Sequence, residues 1–95
     1  MIKSKLIKII AKKTETPAYE TAEIINTFLD EILRTLQNNE KVVLTSFGTF
    51  HTAKRAEKIL EKDGLLKRRI VIPAHRAAYF TMSKKMKSYL SKLEI

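Results

Sequence analysis

A strand, a turn and a second strand are encoded around the segment Ser46-Phe47-Gly48-Thr49-Phe50. The apolar run Val42-Val43-Leu44 precedes it, and its two valines are β-branched residues, which favour strands. The pair Phe47-Gly48 then predicts a turn, after which a second strand leaves through Phe50. We therefore expect two antiparallel strands that are apolar at their junction.

Beyond this unit the chain becomes a basic hairpin. Residues 54–76 hold eight lysines and arginines against three acidic residues, and Asp63-Gly64 predicts a two-residue hairpin turn. A strand pair that is apolar at its root and cationic along its length is typical of an arm that reaches a polyanion, with nucleic acid the leading candidate. The basic residues expected to meet it are Lys54, Arg55, Lys58, Lys62, Lys67, Arg68, Arg69, His75 and Arg76.

Charge is segregated along the 95 residues, whose formal net charge is +9. Residues 1–13 hold five lysines and no acid, whereas residues 14–41 hold six acids against two basic residues. Residues 84–92 are basic again. A surface charged only for solubility intersperses its signs, so this pattern favours a one-sided binding face for an acidic partner.

Several classes of protein are excluded by what the sequence lacks. Without cysteine it forms neither a disulfide framework nor a thiolate metal site, and His51 and His75 have no carboxylate at metal-ligand spacing. No apolar run has the length of a membrane span, and lysines interrupt the N-terminal apolar residues, unlike a secretory signal. No nucleophile–base–orienter set is present. We expect an intracellular, soluble, non-catalytic protein that uses no metal or cofactor.

Helices are predicted at both ends of the chain. Residues 3–13 have helical spacing, with Ser4 as the predicted N-cap. Thr16-Pro17 predicts a second helix, capped by Thr16 with proline in its first position, that runs for about 20 residues to Asn38-Asn39. Thr81 or Ser83 is the predicted cap of a last helix ending near residue 93. Between them we predict strands at about 41–46, 49–62 and 65–73, the last ended by a proline.

The second helix carries an apolar stripe that is too wide for one thin sheet to cover. Dimerisation would cover it, so we expect a dimer. The residues predicted for the core and dimer interface are Ile25, Phe28, Leu29, Ile32, Leu36, Leu44, Phe47, Phe50 and Phe80.

The whole chain resembles the HU/IHF family of bacterial histone-like, nucleoid-associated DNA-binding proteins. The resemblance rests on the two-helix opening, the turn Phe47-Gly48-Thr49-Phe50, the run Arg55-Ala56-Glu57, and Phe80 ahead of a basic last helix. It implies an α+β fold: two N-terminal helices, a three-stranded antiparallel sheet with an extended β-hairpin arm, and a C-terminal helix, in an intertwined homodimer or heterodimer. Residues 1–95 would be one domain, with residues 54–73 as the arm and residues 1–53 and 74–95 as the dimerisation body.

The resemblance also implies a function. Members bind double-stranded DNA through minor-groove arms and phosphate contacts, and wrap, bend and compact it in the cytoplasmic nucleoid with little sequence specificity. Alternatives are a site-specific IHF-like DNA-bending subunit, a basic RNA-binding protein, which would need stacking aromatics that residues 54–72 lack, and a pure dimerisation module. The start of the last helix, where a phosphate would meet backbone N–H groups, supplies Lys84, Lys85 and Lys87.

The arm tip departs from the family. Members usually carry Arg-Asn-Pro-x-Thr-Gly there, with a proline that wedges between base pairs, whereas residues 61–67 contain no proline. Leu65 or Leu66 is either an apolar wedge in its place or a packing residue across the hairpin. Ser46 and Ser83 replace two glycines common in the family.

Overall fold

The computed structural model describes the backbone of residues 1–61 and 69–93 and the side chains of residues 1–59 and 70–93. The described elements are α1 (Lys3–Thr14), α2 (Ala18–Gln37), β1 (Val42–Leu44), β2 (Gly48–Arg55), β3 (Lys58–Glu61), β4 (Arg69–Ile72), β5 (His75–Met82) and α3 (Lys84–Ser91). None of these helices combines the length and apolar character needed to cross a membrane.

The start of α1 differs from the prediction. Ile2, in an extended conformation, occupies the N-cap position without a side-chain hydrogen bond, and its carbonyl oxygen accepts from the backbone N–H groups of Lys5 and Leu6. Ser4 therefore lies inside the first turn, and its assignment as the cap was wrong. The helix ends at Thr14, and Glu15 after it adopts the left-handed conformation with φ 53°.

The start of α2 is also shifted by one residue. Pro17 has ψ 143°, which is extended, so the helix begins only at Ala18 and proline takes the N-cap position. Thr16 does not cap, because Pro17 takes the N-cap position. The Thr16 hydroxyl donates to the carbonyl oxygen of Thr14 at 3.2 Å. The predicted exit is confirmed: α2 stops at Gln37, and Asn39 follows in the left-handed region with φ 61°.

The strands form one long ribbon with an interruption. β1, β2 and β5 make a three-stranded antiparallel sheet in the order β1-β2-β5, and β3 pairs with β4 further out. The predicted strand 49–62 is broken at Ala56-Glu57, and the returning strand is broken at Pro73-Ala74, where proline offers no N–H. The prediction that the ladder ends at Pro73 is wrong, because the ladder resumes in β5. The α+β fold class is confirmed, and residues 1–61 and 69–93 contain five strands in place of the predicted three.

The register does not change across this interruption. Arg55 pairs with His75 on the near side, and Lys58 pairs with Ile72 on the far side. Two residues lie between the two rungs on each strand, so no residue is inserted or lost. The two-stranded arm is therefore an extension of β2 and β5, and their geometry sets its direction.

The turn before β2 depends on two small residues for different reasons. Ser46 has φ 68°, a left-handed conformation that glycine adopts at lower cost. Gly48 is needed for space: a Cβ there would lie 2.5 Å from the Phe80 ring and 2.6 Å from the Thr81 carbonyl oxygen. Glycine at position 48 thus lets β2 approach β5 where the core aromatics meet.

One chain leaves most of its apolar surface uncovered. Within the described residues the buried apolar side chains are Ile7, Ala11 and Leu36, whereas Leu33 is 57% exposed. The radius of gyration is 19.3 Å, against about 13 Å for a compact domain of similar length. Of the predicted core residues, Leu36 is buried, Ile25, Ile32, Leu44 and Phe50 are half-buried, and Phe28, Leu29, Phe47 and Phe80 are exposed.

Candidate nucleic-acid interface

The β2–β5 ribbon has two chemically different faces, because residues paired across antiparallel strands share a face. One face carries Phe50 and Phe80, whose ring centroids are 4.9 Å apart, and Thr52, whose hydroxyl donates to Asn39 just beyond α2 at 3.1 Å. We call this the helix-side face. The other, which we call the open face, consists of residues 49, 51, 53 and 55 of β2 with residues 75, 77, 79 and 81 of β5.

Predicted basic residues meet in pairs where the three-stranded sheet ends. Lys54 lies directly opposite Arg76, and Arg55 lies directly opposite His75. The first pair is on the helix-side face, where the Arg76 Nη1 donates to the Thr52 hydroxyl at 3.5 Å, and the second is on the open face. All four side chains are exposed. The root of the arm is therefore positively charged on both faces.

His75 has a defined hydrogen-bond role at this root. Its Nδ1 lies 3.0 Å from the carbonyl oxygen of Pro73. A carbonyl oxygen only accepts, so the contact assigns the donor role to Nδ1 and leaves Nε2 for an external partner. The prediction that His75 contacts a backbone phosphate or sugar is compatible with this orientation.

A cavity of about 440 Å³ opens beside the interruption of the ribbon. Arg55, Lys58 and His75 contribute basic groups to its wall, and Tyr79 contributes an aromatic ring. Residues from both sides of the interruption line it, which places Lys58 of the arm close to the basic residues of the sheet. Such a wall suits an anionic group next to an apolar surface.

The start of α3 forms a second basic site. The Ser83 hydroxyl accepts from the Met86 backbone N–H at 3.1 Å, which confirms Ser83 as the cap. The Ser83 N–H donates to the Phe47 carbonyl oxygen at 3.0 Å and ties the helix to the β1–β2 turn. The first turn contains no acidic residue, so the positive end of the helix dipole adds to the lysine charges. The exposed lysines there are Lys84, Lys85 and Lys87.

The arm tip lies outside the described residues. This applies to the predicted Asp63-Gly64 turn, and Arg69 is described only by its backbone, which pairs with Glu61. Further predicted site residues outside the described ranges are Lys62, Leu65, Leu66, Lys67 and Arg68.

Sequence reasoning missed Tyr79 as a site residue and placed His51 only on a strand surface. The two rings stack across the open face with centroids 5.8 Å apart, and the Arg55 guanidinium carbon lies 5.9 Å from the Tyr79 centroid. Strand alternation puts His51 and Arg55 on one face, but only the register of β5 adds Tyr79 to them.

Comparison with protein families and curated proteins identifies relatives. The model of a family described as bacterial DNA-binding protein matches residues 1–91. The chain is 31% identical over 90 residues to the DNA-binding protein HU of Thermus thermophilus, covering 95% of this chain and 92% of that protein. It is 40% identical over 58 residues to DNA-binding protein HU-beta 2 of Neisseria meningitidis, covering 61% of this chain and 64% of that protein, just under two thirds of its length.

Solved structures share the architecture. An Anabaena HU structure, crystallised with DNA, matches 98% of this chain and 100% of its own with a TM-score of 0.88 at 22% identity. HU from Thermotoga maritima matches 95% of this chain and 98% of its own with a TM-score of 0.66 at 23% identity. At these identities the likeness concerns the fold.

Proposed function

This chain belongs to the HU family of bacterial DNA-binding proteins, and we propose that it is an architectural protein that wraps, bends and compacts double-stranded DNA. We expect it to be associated with the nucleoid in the cytoplasm. The arm and the start of α3 supply the contacts, mostly to phosphates and the minor groove. Because minor-groove readout separates little more than A·T from G·C, we expect weak sequence preference.

The observation that carries this proposal is the pairing of basic residues at the root of the arm. Lys54 and Arg76 are two cations directly opposite each other, and Arg55, opposite His75, puts a further cation on the next rung of the sheet. Like charges directly opposite each other destabilise a strand pair. An anion that lies between or above Lys54 and Arg76 offsets this repulsion, and the phosphate backbone supplies anions at a regular spacing.

Two basic sites on one chain favour a polymer over a small anion. The arm root and the start of α3 lie at opposite ends of β5, which runs from His75 to Met82. At about 3.4 Å per residue, the strand separates them by roughly 25 Å. A duplex carries charge continuously over such a distance, so one molecule of DNA could engage both sites.

A second chain is part of the proposal, as a homodimer or as a heterodimer with a paralogue. Ile24 is 62% exposed and Phe28 is 48% exposed on α2, while Leu90 of α3 is 52% exposed. Large apolar patches of this kind are interfaces in stable proteins. A dimer also carries two arms, which doubles the length of DNA that one particle contacts.

A competition experiment tests the proposal. The protein is mixed with labelled duplex DNA, and unlabelled duplex DNA or RNA of the same length and base composition is added in a mobility-shift assay. We expect DNA to compete much better than RNA, and energy transfer between fluorophores on the duplex ends to rise on binding because the DNA bends. Equal competition by RNA would favour the RNA-binding alternative, and binding without bending would remove the architectural role.

A further inference from the structure

A row of three side chains crosses the open face next to the arm root. His51 and Tyr79 are opposite each other, and their rings stack with an interplanar angle of 24°. Tyr79 also meets Arg55, whose guanidinium carbon is 5.9 Å from the ring centroid. The distance is within the range of a cation–π contact.

This contact skips one residue pair of the open face, and the residues of that pair explain why. Arg55 is in register with His75, not with Tyr79. Between the two rungs lies the pair Ala53–Ala77, which has no side-chain atoms beyond Cβ. The space above the alanines is therefore free, and the long arginine side chain reaches back over it to the ring.

His75 does not compete for the ring, because its Nδ1 is engaged by the Pro73 carbonyl oxygen. The ring of Tyr79 in turn stacks against the ring of His51 on the same face. The guanidinium is attracted to the ring by its charge, so its in-plane N–H donors remain available for an external acceptor. The arrangement holds Arg55 without using the groups with which it would bind.

We propose that Tyr79 is a positioning residue that holds Arg55 along the open face, ready to contact DNA, and that His51 supports the ring. The inference rests on the proposed DNA-binding function. A free arginine side chain loses rotamer freedom when it binds, whereas one already held in place loses less. Tyr79 thus raises affinity without touching the DNA.

The first test needs no DNA. The order parameter of the Arg55 Nε–H bond is measured by NMR relaxation in the free protein and in Tyr79→Phe and Tyr79→Leu. We expect the value to be retained in Tyr79→Phe, which keeps the ring, and to fall in Tyr79→Leu, which keeps apolar volume but has no π face. An unchanged value in Tyr79→Leu would overturn the inference whatever the protein binds.

The second test is a double-mutant cycle on the affinity for a short duplex. Tyr79→Leu should weaken binding about two- to fivefold, the equivalent of one exposed cation–π contact. It should have no further effect in an Arg55→Gln background, because the residue it positions is gone. Tyr79→Phe should bind as the unmodified protein does, and His51→Ala should give a smaller loss than Tyr79→Leu.

Tyr19→Leu is the matched control, since Tyr19 is 78% exposed at the start of α2, away from the sheet. Tyr19→Leu should change neither the order parameter of Arg55 nor the affinity for the duplex.

A loss of affinity from Tyr79→Leu that is equal with Arg55 and with Gln at position 55 would indicate a general structural effect and refute the positioning role. A loss in Tyr79→Phe as large as in Tyr79→Leu would also refute it, since the hydroxyl would then be the important group. If the unmodified protein does not bind duplex DNA, the proposed function fails, while the NMR test still decides whether Tyr79 holds Arg55.

Discussion

Lys54 of β2 lies directly opposite Arg76 of β5, so two side chains of like charge share one rung of the sheet. The Thr52 hydroxyl accepts a hydrogen bond from Arg76, which draws the guanidinium back along the strand. The pair still lowers the stability of the free protein and raises its attraction for anions. Stability and binding should therefore respond in opposite directions when one of the charges is removed.

Replacing Lys54 with threonine tests this opposition. Threonine suits a strand and removes the repulsion, so the free protein should gain about 0.5 kcal/mol in its free energy of unfolding. Affinity for duplex DNA should fall, because the arm root then carries one cation fewer. Urea denaturation and a binding titration measure the two effects. The control is Lys41→Thr, in the exposed loop before β1. A Lys54→Thr protein that is less stable and binds DNA more tightly than the unmodified protein would contradict the prediction.

Binding should weaken steeply as salt is raised, because each neutralised phosphate releases a counterion. A dimer that engages about four phosphates per chain should show a slope of about −7 in log K against log salt concentration. Replacing Lys84 and Lys87 with alanine should make the slope shallower by about 0.9 for each phosphate that is no longer neutralised, on all DNA sequences alike. A slope shallower than about −2 would mean that the basic surface is not where DNA binds.

The entry into β2 should respond in opposite ways when a Cβ is added at position 48 and when one is removed at position 46. Gly48→Ala places a methyl group against the Phe80 ring and the Thr81 carbonyl oxygen, and should cost about 1–3 kcal/mol in unfolding free energy. Ser46→Gly relieves a left-handed backbone at φ 68° and should stabilise the protein by about 1 kcal/mol. Denaturation at a fixed protein concentration measures both. A neutral Gly48→Ala variant would show that β2 and β5 leave room for a methyl group at this position.

The melting temperature should rise with protein concentration, because folding and dimerisation are coupled. Leu33→Asp puts a charge on the exposed apolar side of α2, where this residue is 57% exposed, and should lower the melting temperature most at low concentration. Glu23→Ala, on the polar side of the same helix, is the control. A melt independent of concentration, with a monomer mass in solution, would exclude the dimer.

Replacing Leu65 and Leu66 together with serine tests whether the arm carries an apolar wedge. Unstacking a base step costs a few kcal/mol, and inserted apolar side chains normally offset it. If a leucine inserts, bending should fall more than affinity, because the cationic contacts remain. Energy transfer between the ends of a short duplex reports the bend. A variant that bends DNA as the unmodified protein does would assign the leucines to hairpin packing.

Local sequence determined the features of this protein that depend on neighbouring residues. The apolar spacing of residues 18–37 predicts α2, and Asn39 ends it because asparagine tolerates a positive φ. Ser83 caps α3 through a bond to a backbone N–H three residues away. The segregation of charge and the basic hairpin likewise predict an anion-binding arm, because each is a property of the chain itself.

Only the tertiary structure decided which side chains meet across the sheet. Arg55 is separated from His75 and Tyr79 by some twenty residues of chain, and one register places all three on the same face. A shift by one residue would turn Tyr79 to the opposite face, and no local pattern excludes that shift. The tertiary structure also decided that the ladder resumes after Pro73. The stability of a strand pair is summed over all of its residue pairs, so the loss of one N–H donor at a proline does not end the pairing.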